Sequence, residues 1–234
     1  MMLISLNIGA ALTMYAAAKR LFENRWAATC ASILYTLAVY RLMDVFTRVA
    51  IGEATAMVFF PLFIVGLYEV VCGDKRRWKL LAVSAACIFC GHMISTLVCA
   101  VLAVLFCAAH IVGLVREKRL AAIVKAAGLC LLLCLFRLAP FIMYTMEGLG
   151  ASTLINDLTV NAIEPGQILM TSLGSASKSV ANHKVLAFSA EIGLPLLVGV
   201  MLARYAALQK QERGRSEKAV LRLLVCGAIL AVAS

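Results

Sequence analysis

Four ionisable side chains lie close together between two apolar stretches of this chain: Arg41, Asp44, Arg48 and Glu53. Asp44 precedes Arg48 by four residues, the order that favours an ion pair on a helix, and Glu53 follows where the next apolar run begins. A guanidinium presents a fork of donors that matches carboxylate or phosphate oxygens, so the set suits recognition of an anionic group beside acids that orient the base or bind a hydroxyl. Charges next to hydrocarbon are costly unless paired, which makes the group a candidate site. The plainer alternative is an amphipathic loop whose charges only hold it at the membrane surface.

Within residues 41–49, Leu42, Val45, Phe46 and Val49 recur at i, i+3, i+4 and i+7, while Arg41, Asp44 and Arg48 share another face. This predicts a short helix lying in the outer interface. His92, in the break Cys90-Gly91-His92-Met93 between two apolar runs, could donate to a phosphate or move a proton; a satisfied interfacial histidine is the plainer reading. Arg137, three residues before Pro140, is placed near the outer end of its run, where its head can snorkel to the surface. Glu147, Asp157, Glu164 and His183 have no metal-ligand spacing and are assigned no chemistry. Glu191 lies inside an apolar run and requires a partner, for which Lys184 and Arg137 are available.

These residues need elements that hold them, and the composition fixes what kind. Hydrophobic residues make up 63% of the chain and charged ones 15%, against about 45–50% apolar in a soluble domain. The expected class is an all-α, polytopic transmembrane bundle forming one integral membrane domain over residues 1–234. The net charge of +10 is not a nucleic-acid footprint, which needs one contiguous basic face. Instead, 17 of the 22 Lys and Arg residues fall into four islands: Lys19-Arg20 with Arg25, Lys75 to Lys79, Arg116 to Lys125, and Arg204 to Arg222. The positive-inside rule puts all four on the cytoplasmic face.

That placement predicts about eight spans with both termini outside. Crossings are expected over 2–18, 26–40 and 57–71, a hairpin over 78–115 that turns outside at His92, then 120–144, 187–203 and 223–233. Tyr35 and Tyr40 are expected at the headgroup level. The nine cysteines fall within apolar runs or at their ends and read as small buried side chains. Cys87-x-x-Cys90 has no second pair nearby in sequence, so zinc is not expected.

The run from Tyr40 to Ala54, YRLMDVFTRVAIGEA, with the later Phe60-Pro61-Leu62 and Gly66-Leu67-Tyr68, resembles the bacterial polytopic membrane proteins carrying a 6-pyruvoyl-tetrahydropterin-synthase-related domain, close to the YfhO-like group. These look like relatives of the GT-C glycosyltransferases. The family pattern is roughly Tyr-Arg-x-x-Asp-x-x-x-Arg-Gly-Ala-x-x-Glu, with a histidine in an outer turn two spans later; here Val49 stands for the Gly and His92 matches the histidine. The likeness covers residues 1 to about 140.

The resemblance implies a multi-pass protein of the bacterial cytoplasmic membrane. It also implies sugar transfer from a polyprenyl-phosphate carrier on the outer face, with Arg48 and Arg41 neutralising the phosphate and His92 and Arg137 available to it. Glu53 or Asp44 would orient Arg48 or bind an acceptor hydroxyl. Members normally begin with a further span and an outer loop bearing the catalytic acid, so this chain is expected to be a fragment and no catalytic residue is assigned in it. A divalent metal is compatible with the resemblance, although no ligand motif specifies one. The expected partner is membrane lipid, not nucleic acid, and oligomeric state has no signature here. Transport or flipping of a substrate, and a non-catalytic scaffold, are the rival functions.

Overall fold

The structure, a computed structural model, describes residues 1–146. These form α1 (Met2–Phe22), α2 (Arg25–Thr36), α3 (Val39–Leu42) continuing as a π-helical turn (Met43–Thr47), α4 (Ile51–Val71), a 3-10 turn (Lys75–Arg77), α5 (Trp78–Gly91), α6 (Met93–Ala109), α7 (Ile111–Arg116) and α8 (Leu120–Met146). Among the described residues there is no strand.

Three helices, Met2–Phe22, Ile51–Val71 and Leu120–Tyr144, are long and apolar enough to cross a membrane. At about 1.5 Å per residue the shorter two reach roughly 30 Å, the thickness of the hydrocarbon layer. Their surroundings differ. α4 is largely buried, whereas α1 and α8 turn Ile4, Ile8, Leu12, Val124, Leu132 and Phe136 outward. Soluble monomers rarely expose so much contiguous apolar surface, and lipid satisfies it. The chain is a helical membrane protein, and among the described residues α4 is the most buried of the long apolar helices.

Phe63, Leu67 and Val70 of α4 meet Leu81, Ala82 and Ile88 of α5, and Phe106 and Leu114 close over them from α6 and α7. Gly66 permits this approach, since a Cβ there would lie 2.8 Å from the Leu81 backbone. α4 also contains Pro61, which has no N–H to give the Met57 carbonyl. Tyr35 of α2 supplies the missing donor, its hydroxyl reaching the Met57 carbonyl at 2.5 Å. Ser32 Oγ ties α2 to α1 through the Ala11 carbonyl at 2.7 Å.

The first three basic islands meet at one end of the bundle. Arg20 Nε lies 2.5 Å from Glu69 Oε1, while Glu69 Oε2 accepts the Asp74 N–H at 2.8 Å. Arg119 Nη1 donates to the carbonyls of Val70 (3.1 Å) and Gly73 (2.7 Å), capping the end of α4, and its Nε meets Glu117 Oε2 at 2.6 Å. Lys75 Nζ reaches the Glu117 carbonyl at 3.4 Å, so the segment after His92 returns to the level where α5 began. The chain therefore reverses at His92, but the two crossings expected over 78–115 are not found, since α5 has only 14 residues.

Other expectations change. The run 26–40 is not one helix: α2 stops at Thr36, and Tyr40–Thr47 leaves it at 50°. Thr36 Oγ bonds back to the Ser32 carbonyl at 2.7 Å, a contact that bends helices, and Arg41 Nη1 takes the Thr36 carbonyl at 3.2 Å. α4 begins at Ile51, about a turn and a half before the expected Met57. α6 is apolar, but its 17 residues fall short of a full crossing. The described residues thus hold three helices long and apolar enough to span, or four if the bent pair is one span. The crossings expected over 187–203 and 223–233, the fourth basic island, and Glu147, Asp157, Glu164, His183 and Glu191 lie outside the described residues.

Candidate functional site

The segment that carries the charges is shaped by its backbone. Arg48 N–H bonds to the Met43 carbonyl at 2.9 Å, the i to i−5 link of a π-turn, which spreads successive side chains differently from an α-helix. Val49 then adopts φ 53°, and the chain enters α4 two residues later. A β-branched residue in the left-handed region is strained by about 1–2 kcal/mol, and this is the position at which the resembled pattern has glycine.

The π-turn also reverses part of the expected amphipathic face. Val45 is buried as anticipated, but Asp44 is fully buried beside it, while Phe46 and Val49 are exposed. Asp44 Oδ1 accepts from Arg48 Nη1 at 2.8 Å, and Asp44 Oδ2 is buried without a hydrogen-bond partner. The same Nη1 lies 3.5 Å from Glu53 Oε2, and Glu53 Oε1 accepts the Tyr40 hydroxyl. The two acids on either side of Arg48 differ in burial, the side chain being 0% exposed for Asp44 and 15% for Glu53, and Arg48 between them is 32% exposed. The guanidinium is thus held most firmly on its buried side, by Asp44.

His92 joins this group from another hairpin. It caps the start of α6, its Nδ1 accepting the Ser95 N–H at 3.3 Å and lying 2.8 Å from Ser95 Oγ. α4 and α5 cross at Gly52 and Gly91, so closely that a Cβ on Gly52 would stand 2.8 Å from the Gly91 carbonyl oxygen and 4.0 Å from His92 Cδ2. His92, Arg48 and Glu53 all lie within electrostatic reach of Asp44. Sequence spacing brings Asp44, Arg48 and Glu53 together, and the glycine crossing adds His92.

Two expected members lie elsewhere. Arg41 is buried and points to α1, with Nη1 2.6 Å from Asn7 Oδ1 and Nη2 3.2 Å from the Leu6 carbonyl. It does not share a face with Asp44 and Arg48, because its guanidinium locks the bend after α2 onto the first helix. Its expected phosphate contact is not available in this arrangement. Arg137 is on an exposed part of α8, and no ion pair among the described residues joins it to the cluster.

Tyr40, expected only as a headgroup anchor, belongs to the site through Glu53 and also interacts with Arg48. Its place in the Tyr-Arg-x-x-Asp run was the signal that could have found it. Among the described residues, no group of three or more His, Cys, Asp or Glu side chains is arranged to hold a metal ion. No family model, curated protein or solved structure matches the chain.

Proposed function

We propose that the chain belongs to a membrane-embedded, GT-C-like glycosyltransferase, and that the Asp44, Arg48, Glu53 cluster receives the phosphate of a polyprenyl-phosphate sugar at the outer face. The observation that carries this reading is the unequal grip on Arg48. Fully buried Asp44 holds Nη1 at 2.8 Å, while partly open Glu53 stands at 3.5 Å. A carboxylate held in the interior orients the guanidinium, and the looser one can be displaced by a phosphate oxygen.

Glu53 released in this way is free to bind the acceptor hydroxyl, and Arg48 stabilises the charge that develops on the leaving phosphate. Tyr40 steadies Glu53 before the substrate arrives. The exposed apolar surfaces of α1 and α8 suit contact with the isoprenoid tail. The test is release of labelled glucose from polyprenyl-phosphate glucose by the full protein in proteoliposomes. Arg48→Ala should abolish release and Asp44→Asn should weaken it, whereas unchanged release in Arg48→Ala overturns the reading.

Transport is a second reading, favoured by the 50° break between α2 and the segment Tyr40–Thr47, because interrupted helices commonly form transporter binding sites. It predicts passage of the intact lipid-linked sugar across the bilayer without loss of sugar from the carrier.

A further inference from the structure

The corner between α7 and α8 gathers exposed cations that the packing of the bundle does not use. Acids at this end are engaged internally: Glu69 by Arg20 and the Asp74 N–H, Glu117 by the buried Arg119, and the Asp74 carboxylate by the Arg76 N–H. Lys75, Arg116 and Lys118 are exposed, and among the described residues no carboxylate forms an ion pair with them. They belong together. Lys75 Nζ reaches from the turn after α4 to the carbonyl of Glu117, the residue between the other two, at 3.4 Å.

The backbone at Lys118 is a second, independent observation. After α7 the Lys118 N–H donates to the Val115 carbonyl at 3.2 Å and the Arg119 N–H to the Leu114 carbonyl at 2.9 Å. This is the Schellman ending of a helix, whose left-handed position is usually glycine, yet here Lys118 occupies it at φ 51°. Glycine would relieve the backbone and lose the ammonium group, so stability alone does not account for a lysine at this position.

The border of the corner indicates what it binds. Val112 and Val115 precede these cations in the chain and Leu120 and Val124 follow them, all exposed, and Leu120 opens a helix long and apolar enough to cross a membrane. The cations therefore stand at the mouth of a candidate span, where apolar surface leads away into the hydrocarbon. An acidic protein or a nucleic acid would match the charge but not this apolar border. A phospholipid matches both.

We propose that Lys75, Arg116 and Lys118 hold the phosphodiester of an anionic phospholipid in the leaflet at this end of the bundle, with its acyl chains against Val115, Leu120 and Val124. Basic residues beside a span attract anionic headgroups, whereas the cationic group of a zwitterionic lipid offsets its own phosphate. The corner lies at the opposite end of α4 from Arg48, and its ligand does not depend on the function assigned there.

The test is native mass spectrometry of the full chain offered equal amounts of phosphatidylglycerol and phosphatidylcholine with identical acyl chains. The protein should retain phosphatidylglycerol preferentially. Lys118→Gly and Arg116→Gln should each cut that preference roughly fivefold, the effect of one cation near an anionic headgroup. Lys118→Gly should at the same time raise the thermal unfolding midpoint, and that opposite movement separates binding from folding. The losses should be the same in an Arg48→Ala background, which separates this corner from the candidate site at the other end. Glycerol 3-phosphate, which has the phosphate without acyl chains, should not displace the lipid. Equal retention of the two lipids, displacement by glycerol 3-phosphate, an unchanged preference in both Lys118→Gly and Arg116→Gln, losses that vanish in the Arg48→Ala background, or the same loss in Arg25→Gln, on another basic island, would each overturn the proposal.

Discussion

Tyr35 compensates for Pro61. The proline removes the donor that the Met57 carbonyl would have had inside α4, and the Tyr35 hydroxyl replaces it from α2 at 2.5 Å. Removing the phenol oxygen leaves a carbonyl in the bundle without its donor, at a cost of about 1–3 kcal/mol. Tyr35→Phe should therefore lower the thermal unfolding midpoint in detergent. In a Pro61→Ala background residue 61 can donate again, so the same substitution should cost clearly less. Equal losses in both backgrounds would separate the two residues.

Val49 tests the backbone strain. Its φ of 53° suits glycine, so Val49→Gly should stabilise the protein by about 1 kcal/mol despite the greater freedom of the unfolded chain. The midpoint of thermal unfolding should rise. A fall would show that the exposed valine side chain contributes more than the strain removes.

Gly52 tests the crossing that brings His92 to the acids. A methyl group there meets the Gly91 carbonyl at 2.8 Å, and backbone has little room to yield. Gly52→Ala should lower stability by about 1–3 kcal/mol, the usual range for overpacking. A nitroxide distance measurement between α4 and α6 should show the His92 end displaced. Unchanged stability and distance would mean that the two helices cross less tightly.

The short-range half of the site was legible in the sequence because Asp44 and Arg48 lie about one helical turn apart and Glu53 follows at the start of the next helix. The His92 turn was legible as a polar break in a long apolar run. Arg41 was misplaced because its partners, Leu6 and Asn7, belong to another helix, and the π-turn alters the periodicity from which its face was inferred. The pairing of Tyr35 with the Met57 carbonyl is likewise nonlocal. Glu69, hidden in the apolar run of α4, is anchored by Arg20 from α1, a contact that no local spacing announces.

Membrane sidedness supplies a further prediction. Thr47 and Arg76 are exposed and belong to opposite ends of the bundle, so each can carry a single cysteine in a background with the native thiols replaced. In intact cells an impermeant maleimide should label Thr47→Cys, and Arg76→Cys should react only after permeabilisation. Labelling in the reverse order would place the candidate site in the cytoplasm.

The proposed role of Arg48, receiving a lipid phosphate, is probed by binding without the intervening steps of turnover. Native mass spectrometry of the full protein, with polyprenyl phosphate and the corresponding polyprenol as ligands, would measure the contribution of the phosphate itself. A charge-assisted contact of about 1.5–3 kcal/mol corresponds to a loss of roughly tenfold or more when it is removed. The wild-type protein should bind polyprenyl phosphate in preference to polyprenol, and Arg48→Ala should lose that preference. An Arg48→Ala protein that folds normally and keeps the full preference would contradict it.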